Sequence, residues 1–194
     1  GSNFIKKLRK NYRVSDAKAV ENAKKKGIIS LFKTSTVEFA FGGLGINNTV
    51  KYPKNQFLLD SYCPGGSSSG AAVSVYKNLV PLSVVTDTAG SIRIPAAWHS
   101  LIGFKPTYGS ISSKGVLPLS RSYDTVGLIC KCIKDIQIFY NILSKKNYKY
   151  KIENIKKCKI GLVQDFTSCR LKDKDKEEYE QFIEILSKRG FKFK

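Results

Sequence analysis

The alternation of apolar and polar positions changes period several times along this chain, and each change predicts an element. Ser15 is placed to cap a helix over 15–26, with Ala17, Val20 and Ala23 on one side and Gly27 at its stop. The apolar run Ile28-Ile29-Ser30-Leu31-Phe32 then predicts a strand. Further on, Ala71-Ala72-Val73-Ser74-Val75-Tyr76-Lys77 predicts a helix and Val80-Pro81-Leu82-Ser83-Val84-Val85 a buried strand. Residues 131–144 predict another helix, with Ile133, Ile136, Ile138, Phe139 and Leu143 as core contacts. Towards the end, 158–163 predict a strand, 173–188 a charged amphipathic helix closed by Gly190, and 191–193 the start of a further strand. The lysine-rich stretch 147–157 is the candidate linker or surface excursion. Alternating helices and strands predict an α/β sandwich around a mixed, mostly parallel central sheet, and 194 residues suffice for one domain.

Two glycine-rich turns interrupt this pattern: Pro64-Gly65-Gly66-Ser67-Ser68-Ser69-Gly70 and Thr86-Asp87-Thr88-Ala89-Gly90-Ser91-Ile92-Arg93. One predicted helix and one predicted strand separate them, so the chain can fold back and set Ser67 and Ser91 face to face. Glycine and serine also serve as ordinary loop residues, because glycine supplies positive φ and serine caps helices. A Walker-type phosphate loop is excluded, since Ala71 and not lysine follows Gly70. A rival reading takes Gly66-Ser67-Ser68-Ser69-Gly70 as a nucleophile elbow, with Ser68, Asp87 and His99 in the chain order of an α/β-hydrolase triad. That fold requires a strand running straight into the elbow, whereas Pro64 stands just before the glycines. His99, the single histidine, reads as a packed residue near a helix end.

The two turns resemble those of the amidase signature family, at the same serine spacing. Further blocks share the resemblance: residues 34–43, 80–95, Gly103-Phe104-Lys105-Pro106-Thr107-Tyr108-Gly109 and Ser122-Tyr123-Asp124-Thr125-Val126-Gly127. The core signature segment is 34–127, and weaker similarity makes 1–194 one partial amidase-signature domain. The resemblance implies a Ser-Ser-Lys triad. Ser91 is then the acyl-ester nucleophile and Ser67 the proton shuttle, held by a cis peptide bond after Gly66. The backbone N–H groups of Thr88, Ala89, Gly90 and Ser91 form the oxyanion hole, while Asp87 and Arg93 fix the shape of the loop. A serine hydroxyl needs such a base because it is too weakly acidic to attack an amide unaided at neutral pH.

Two positions depart from the family pattern. Ala89 replaces a glycine before the nucleophile and would be strained by about 1 kcal/mol or more if its φ were positive. Ser69 replaces a glycine after the serine pair. The family's lysine lies upstream of the stretch that residues 12–39 resemble, and Lys33 matches a different position. With no methionine in the sequence and the family continuing past residue 194, the expectation is a fold truncated at both ends. Such a segment lacks its lysine and is expected to be inactive alone.

Within the family, the Glu38-Phe39-Ala40-Phe41-Gly42-Gly43 block and Lys105-Pro106-Thr107-Tyr108-Gly109 look most like the glutaminase (GatA-type) chains of glutamyl-tRNA(Gln) amidotransferases, especially divergent organellar ones. That resemblance implies hydrolysis of glutamine to ammonia, for converting Glu-tRNA(Gln) to Gln-tRNA(Gln) in translation. It implies a B-subunit partner that holds ATP and Mg, a small third subunit, and no cofactor or metal on this chain. The alternatives are a stand-alone amidase acting on small or fatty amides and a catalytically inactive structural subunit. The expected compartment is the mitochondrial matrix, with plastid or cytoplasm as alternatives, and no membrane association is expected.

Charge bears on this only weakly. The net charge is +19, and basic surfaces attract phosphate backbones. Only six of the 34 basic residues are arginine, the side chain favoured for bidentate phosphate recognition, and no RNA-binding motif appears. Lysine richness is equally expected of an AT-rich genome. The five cysteines are odd in number and lack paired metal spacing, which fits a reducing compartment without a disulfide framework.

Overall fold

The computed structural model describes residues 15–57, 62–148, 159–162 and 172–194, in two compact units that divide between 147 and 148. In the first unit, helix α1 (Lys18–Lys24) starts later than its sequence signal. Ser15 does not cap it. Ala17 occupies the cap position, and the Lys18 N–H donates to the Lys114 carbonyl at 2.9 Å. A partner from far along the chain thus does what a local serine was expected to do. Gly27, at φ +85°, ends the helix as predicted.

The expected strand over 28–32 is absent: Ile29 is 80% and Leu31 63% exposed, and no described strand pairs with them. An apolar run becomes a strand only when another edge hydrogen-bonds to it. Helix α2 (Ser69–Tyr76) rises directly from the first glycine turn, and strand β1 (Leu82–Asp87) leads into the second. Helix α3 (Arg93–Ala97) leaves that turn and passes to β2 (Ile102–Phe104), followed by β3 (Thr125–Cys130) and α4 (Ile133–Ser144).

The sheet runs in the order β1-β3-β2, and both pairs are antiparallel. This corrects the expectation of a mostly parallel sheet. The central strand β3 is buried along its whole length, a pattern that suits parallel strands, but here it comes from helices covering both faces. Val126, Leu128 and Cys130 pack with α1 and α4, while Ile129 packs with α2 and α3, giving α/β/α layers. Gly127 lets β2 come close, since a Cβ there would lie 2.2 Å from the Phe104 carbonyl oxygen.

In α4, Ile136, Tyr140 and Leu143 form the buried stripe, at the i, i+4, i+7 spacing of one helical face. Ile133 and Ile138, expected in the core, are 61% and 47% exposed. Tyr140 takes their place, with its ring 5.2 Å from that of Phe104, edge to face.

In the second unit, β4 (Lys159–Ile160) pairs in parallel with β5 (Lys192–Phe193) across the intervening helix α5 (Asp173–Lys188), which stops at Gly190 with φ +87°. Parallel pairing is therefore confined to this unit among the described residues. Cys158, Val163 and most of the predicted linker lie outside the described residues. No described helix is long and apolar enough to cross a membrane.

Candidate active site

The two glycine turns meet. The Ser68 N–H donates to the Ser91 carbonyl at 3.4 Å, so the loop after β1 lies against the turn that starts α2. The Gly66–Ser67 peptide is cis. A third segment brackets this turn by backbone bonds alone: Gly70 N–H donates to Ser35, Val37 N–H to Ser67, Gly66 N–H to Gly43 and Gly65 N–H to Leu44. Gly66 has to be glycine, because a Cβ would stand 2.5 Å from the Gly42 carbonyl oxygen and 2.7 Å from the Gly45 nitrogen. Ser67 is 2% exposed. Ser91 is half-buried at the loop surface.

The second loop is organised around one carboxylate. Asp87, fully buried at the end of β1, accepts from Gly90 N–H at 2.8 Å and Arg93 Nη2 at 3.0 Å through Oδ1. Its Oδ2 accepts from Ile92 N–H at 3.0 Å, Arg93 Nε at 3.1 Å and Arg93 N–H at 3.4 Å. Burial works against the charged form, but the Arg93 guanidinium and the Ile92 and Gly90 N–H groups outweigh it and hold the carboxyl below its usual range.

Gly90, at φ +129°, makes the sharp bend of the loop. Ala89 is not in the left-handed region, so the strain expected of an alanine there does not arise.

The four N–H groups assigned to an oxyanion hole are not equivalent. Gly90's is turned inward to Asp87, whereas those of Thr88, Ala89 and Ser91 have no protein acceptor among the described residues. The Ser67 and Ser91 hydroxyls likewise have no hydrogen-bond partner among the described residues. Lys33 is exposed. His99 is fully buried, its Nδ1 2.9 Å from the Pro95 carbonyl, and burial lowers its pKa. It packs against α3 as expected and does not join Ser68 and Asp87 in a triad, since both Asp87 oxygens are spent on Arg93 and the loop backbone.

Asp124 was not singled out as a site residue by the sequence. Its carboxylate accepts from the Thr88 hydroxyl and from the Leu119 and Ser120 N–H groups, tying a distant turn to the loop that carries Ser91. The one available signal was its place in the 122–127 block. The side-chain partner at Thr88 is a product of strand register and invisible before folding.

Comparison with known proteins points to one family. The Amidase family matches residues 5–194. The chain is 39% identical to an indoleacetamide hydrolase of Pseudomonas syringae pv. syringae, over 92% of this chain and 40% of that protein. It is 35% identical to the GatA-type chain of the mitochondrial glutamyl-tRNA(Gln) amidotransferase of Schizosaccharomyces pombe, over 91% of this chain and 41% of the relative. Among solved structures, an amidase superposes with a TM-score of 0.86 at 32% identity, covering 94% of this chain and 42% of the other. The corresponding GatA-type chain of the Thermotoga maritima glutamyl-tRNA(Gln) amidotransferase superposes with a TM-score of 0.82 at 28% identity, covering 94% and 43%. The chain thus spans about two fifths of the length of these relatives.

Proposed function

This chain belongs to the amidase family, and from that premise we propose that it carries the nucleophile loop and proton shuttle of a serine amidase. The observation that supports the reading is the meeting of the two turns, with a half-buried Ser91 beside a buried Ser67 and three uncommitted backbone N–H groups. In this reading Ser91 Oγ attacks the amide carbonyl and its proton passes to Ser67 Oγ. The Ser67 proton moves on to a neutral lysine outside the described residues. The negative charge on the carbonyl oxygen is met by the N–H groups of Thr88, Ala89 and Ser91. Preorganised donors of this kind are each worth about 3 kcal/mol in the transition state. The intermediate collapses by breaking the C–N bond as the proton is returned to the leaving amine, and water then hydrolyses the acyl ester.

The substrate we propose is glutamine, the chain being part of the glutaminase component of an amidotransferase that passes ammonia to a B-subunit partner. That partner, with ATP and Mg, would amidate Glu-tRNA(Gln), and a small third subunit would complete the assembly. Likeness to the fission-yeast and Thermotoga GatA-type chains supports this reading, and the fission-yeast protein supports a mitochondrial setting. A stand-alone amidase is the second reading, favoured by 39% identity to an indoleacetamide hydrolase across 92% of the chain. An inactive scaffold loses the argument that Ala89 strains the loop.

The test is labelling of the complete protein by a serine-directed fluorophosphonate, in the presence and absence of the B-subunit partner, with Ser91→Ala as control. Labelling at Ser91 that glutamine suppresses supports the amidotransferase. Turnover of indoleacetamide without a partner supports the stand-alone enzyme. Absence of labelling in every preparation overturns both.

A further inference from the structure

We infer that the Thr88 hydroxyl and the Asp124 carboxylate are a positioning pair that aims the N–H groups of Thr88 and Ala89 at the reacting carbonyl oxygen. The inference rests on the amidase reading of Ser91 and goes beyond it, because it assigns a role to a contact between two residues outside the triad.

The register of the sheet places the pair. β1 and β3 are antiparallel with Asp87 opposite Thr125, so Thr88 and Asp124 occupy the next rung, where the ladder has ended. The backbone leaves the sheet there, and a side-chain hydrogen bond takes over the cross-link.

Both ends are anchored. On one side Asp87 holds the loop through Gly90, Ile92 and Arg93, which fixes the residues that follow Ala89. It leaves Thr88 and Ala89 without any backbone hydrogen bond to a described residue, and Ala89 is exposed. On the other side Asp124 is held in a closed turn, its own N–H donating to the Ser120 carbonyl at 2.9 Å while its carboxylate grips the Leu119 and Ser120 N–H groups. Among the described residues, the Thr88 hydroxyl therefore makes the one side-chain hydrogen bond that restrains the first half of the loop. Two of the three uncommitted N–H groups belong to this half. A hydrogen-bond donor helps only if it already points to where charge develops, so a loose first half forfeits part of the stabilisation.

The test compares Thr88→Val, which keeps the shape and removes the hydroxyl, with Thr88→Ser, which keeps the hydroxyl, both in the complete protein. Thr88→Val is expected to lower kcat per titrated active site by about tenfold with KM changed less than about twofold, short of the hundredfold or more that follows loss of a whole donor. Thr88→Ser is expected to stay near wild type. Hydrogen exchange of the 87–92 backbone should quicken in Thr88→Val and not in Thr88→Ser, which reports the restraint without needing turnover. Unchanged exchange in Thr88→Val overturns the pair whether or not the enzyme turns over. Faster exchange with an unchanged kcat overturns the positioning role. A wild-type protein that is inert to the probe overturns the amidase reading instead, and the exchange comparison still decides the restraint.

Discussion

Replacing Asp87 by asparagine tests the idea that one buried carboxylate shapes the loop that carries Ser91. Oδ1 faces two donors, Gly90 N–H and Arg93 Nη2, and Oδ2 faces three, from Ile92 and Arg93. An asparagine has one oxygen, so either orientation of its amide sets an NH2 group against donors. With Nδ2 at the Oδ1 position, two hydrogen bonds are lost and two donors oppose a third. With the amide turned over, the loss is three. Hydrogen bonds to charged groups contribute about 1.5–3 kcal/mol each, and stripping one partner from a buried ion pair costs about 3–5 kcal/mol. Arg93 is 54% exposed and can turn to water, which recovers part of that. The expected loss is therefore at the lower end, about 3 kcal/mol. Urea unfolding of the complete protein measures it, and the rate of fluorophosphonate labelling at Ser91 reports the loop directly. Arg93→Lys, which keeps the charge but not the fork, should cost less, about 1 kcal/mol. Because the folded pKa of Asp87 is lowered from 3.8, its contribution is fully present above that value and is lost as pH falls below it. An Asp87→Asn protein within about 0.5 kcal/mol of wild type, labelling at the normal rate, would refute the reasoning, since that is the range of a neutral surface change.

Three further outcomes are expected. Burial lowers the pKa of His99 from 6.5, so its contribution to stability is present above that pH and declines as pH falls through it; His99→Gln should flatten this part of a pH–stability curve measured by thermal unfolding. Gly66→Ala drives a Cβ into the Gly42 carbonyl and the Gly45 nitrogen, so Ser91 labelling should be lost while far-UV circular dichroism stays close to wild type. The Cys130 thiol, pushed up to about 12 by burial, should resist iodoacetamide at pH 8, where the exposed Cys132 alkylates readily; peptide mapping that finds Cys130 modified first would show that β3 is not buried as described.

The two long helices were legible because their signals are local, whereas the five-residue α3 was not predicted as an element. The apolar stripe of 131–144 and the charged face of 173–188 repeat at the helical period, and both elements form within two residues of their predicted bounds. The serine turns were legible for a related reason: glycine, serine and aspartate at fixed offsets leave few conformations open, and Gly66 and Gly90 stand where a side chain would collide. Strand partners were not legible. The run at 28–32 has the composition of a strand but no described neighbour, while β2 and β3 passed unmarked, although β3 carries the core of both faces. Pairing depends on which edges meet across long stretches of chain, and no period along the sequence encodes that. The same holds at the site. The chain's own residues marked Ser67 and Ser91 as the candidate pair and Asp87 and Arg93 as the groups that would shape the second loop. Only tertiary structure decided that Gly90 turns its N–H inward, that Ala89 sits outside the left-handed region, and that Thr88 meets Asp124. Each of these depends on register between β1 and β3 and on the buried carboxylate at the end of their ladder.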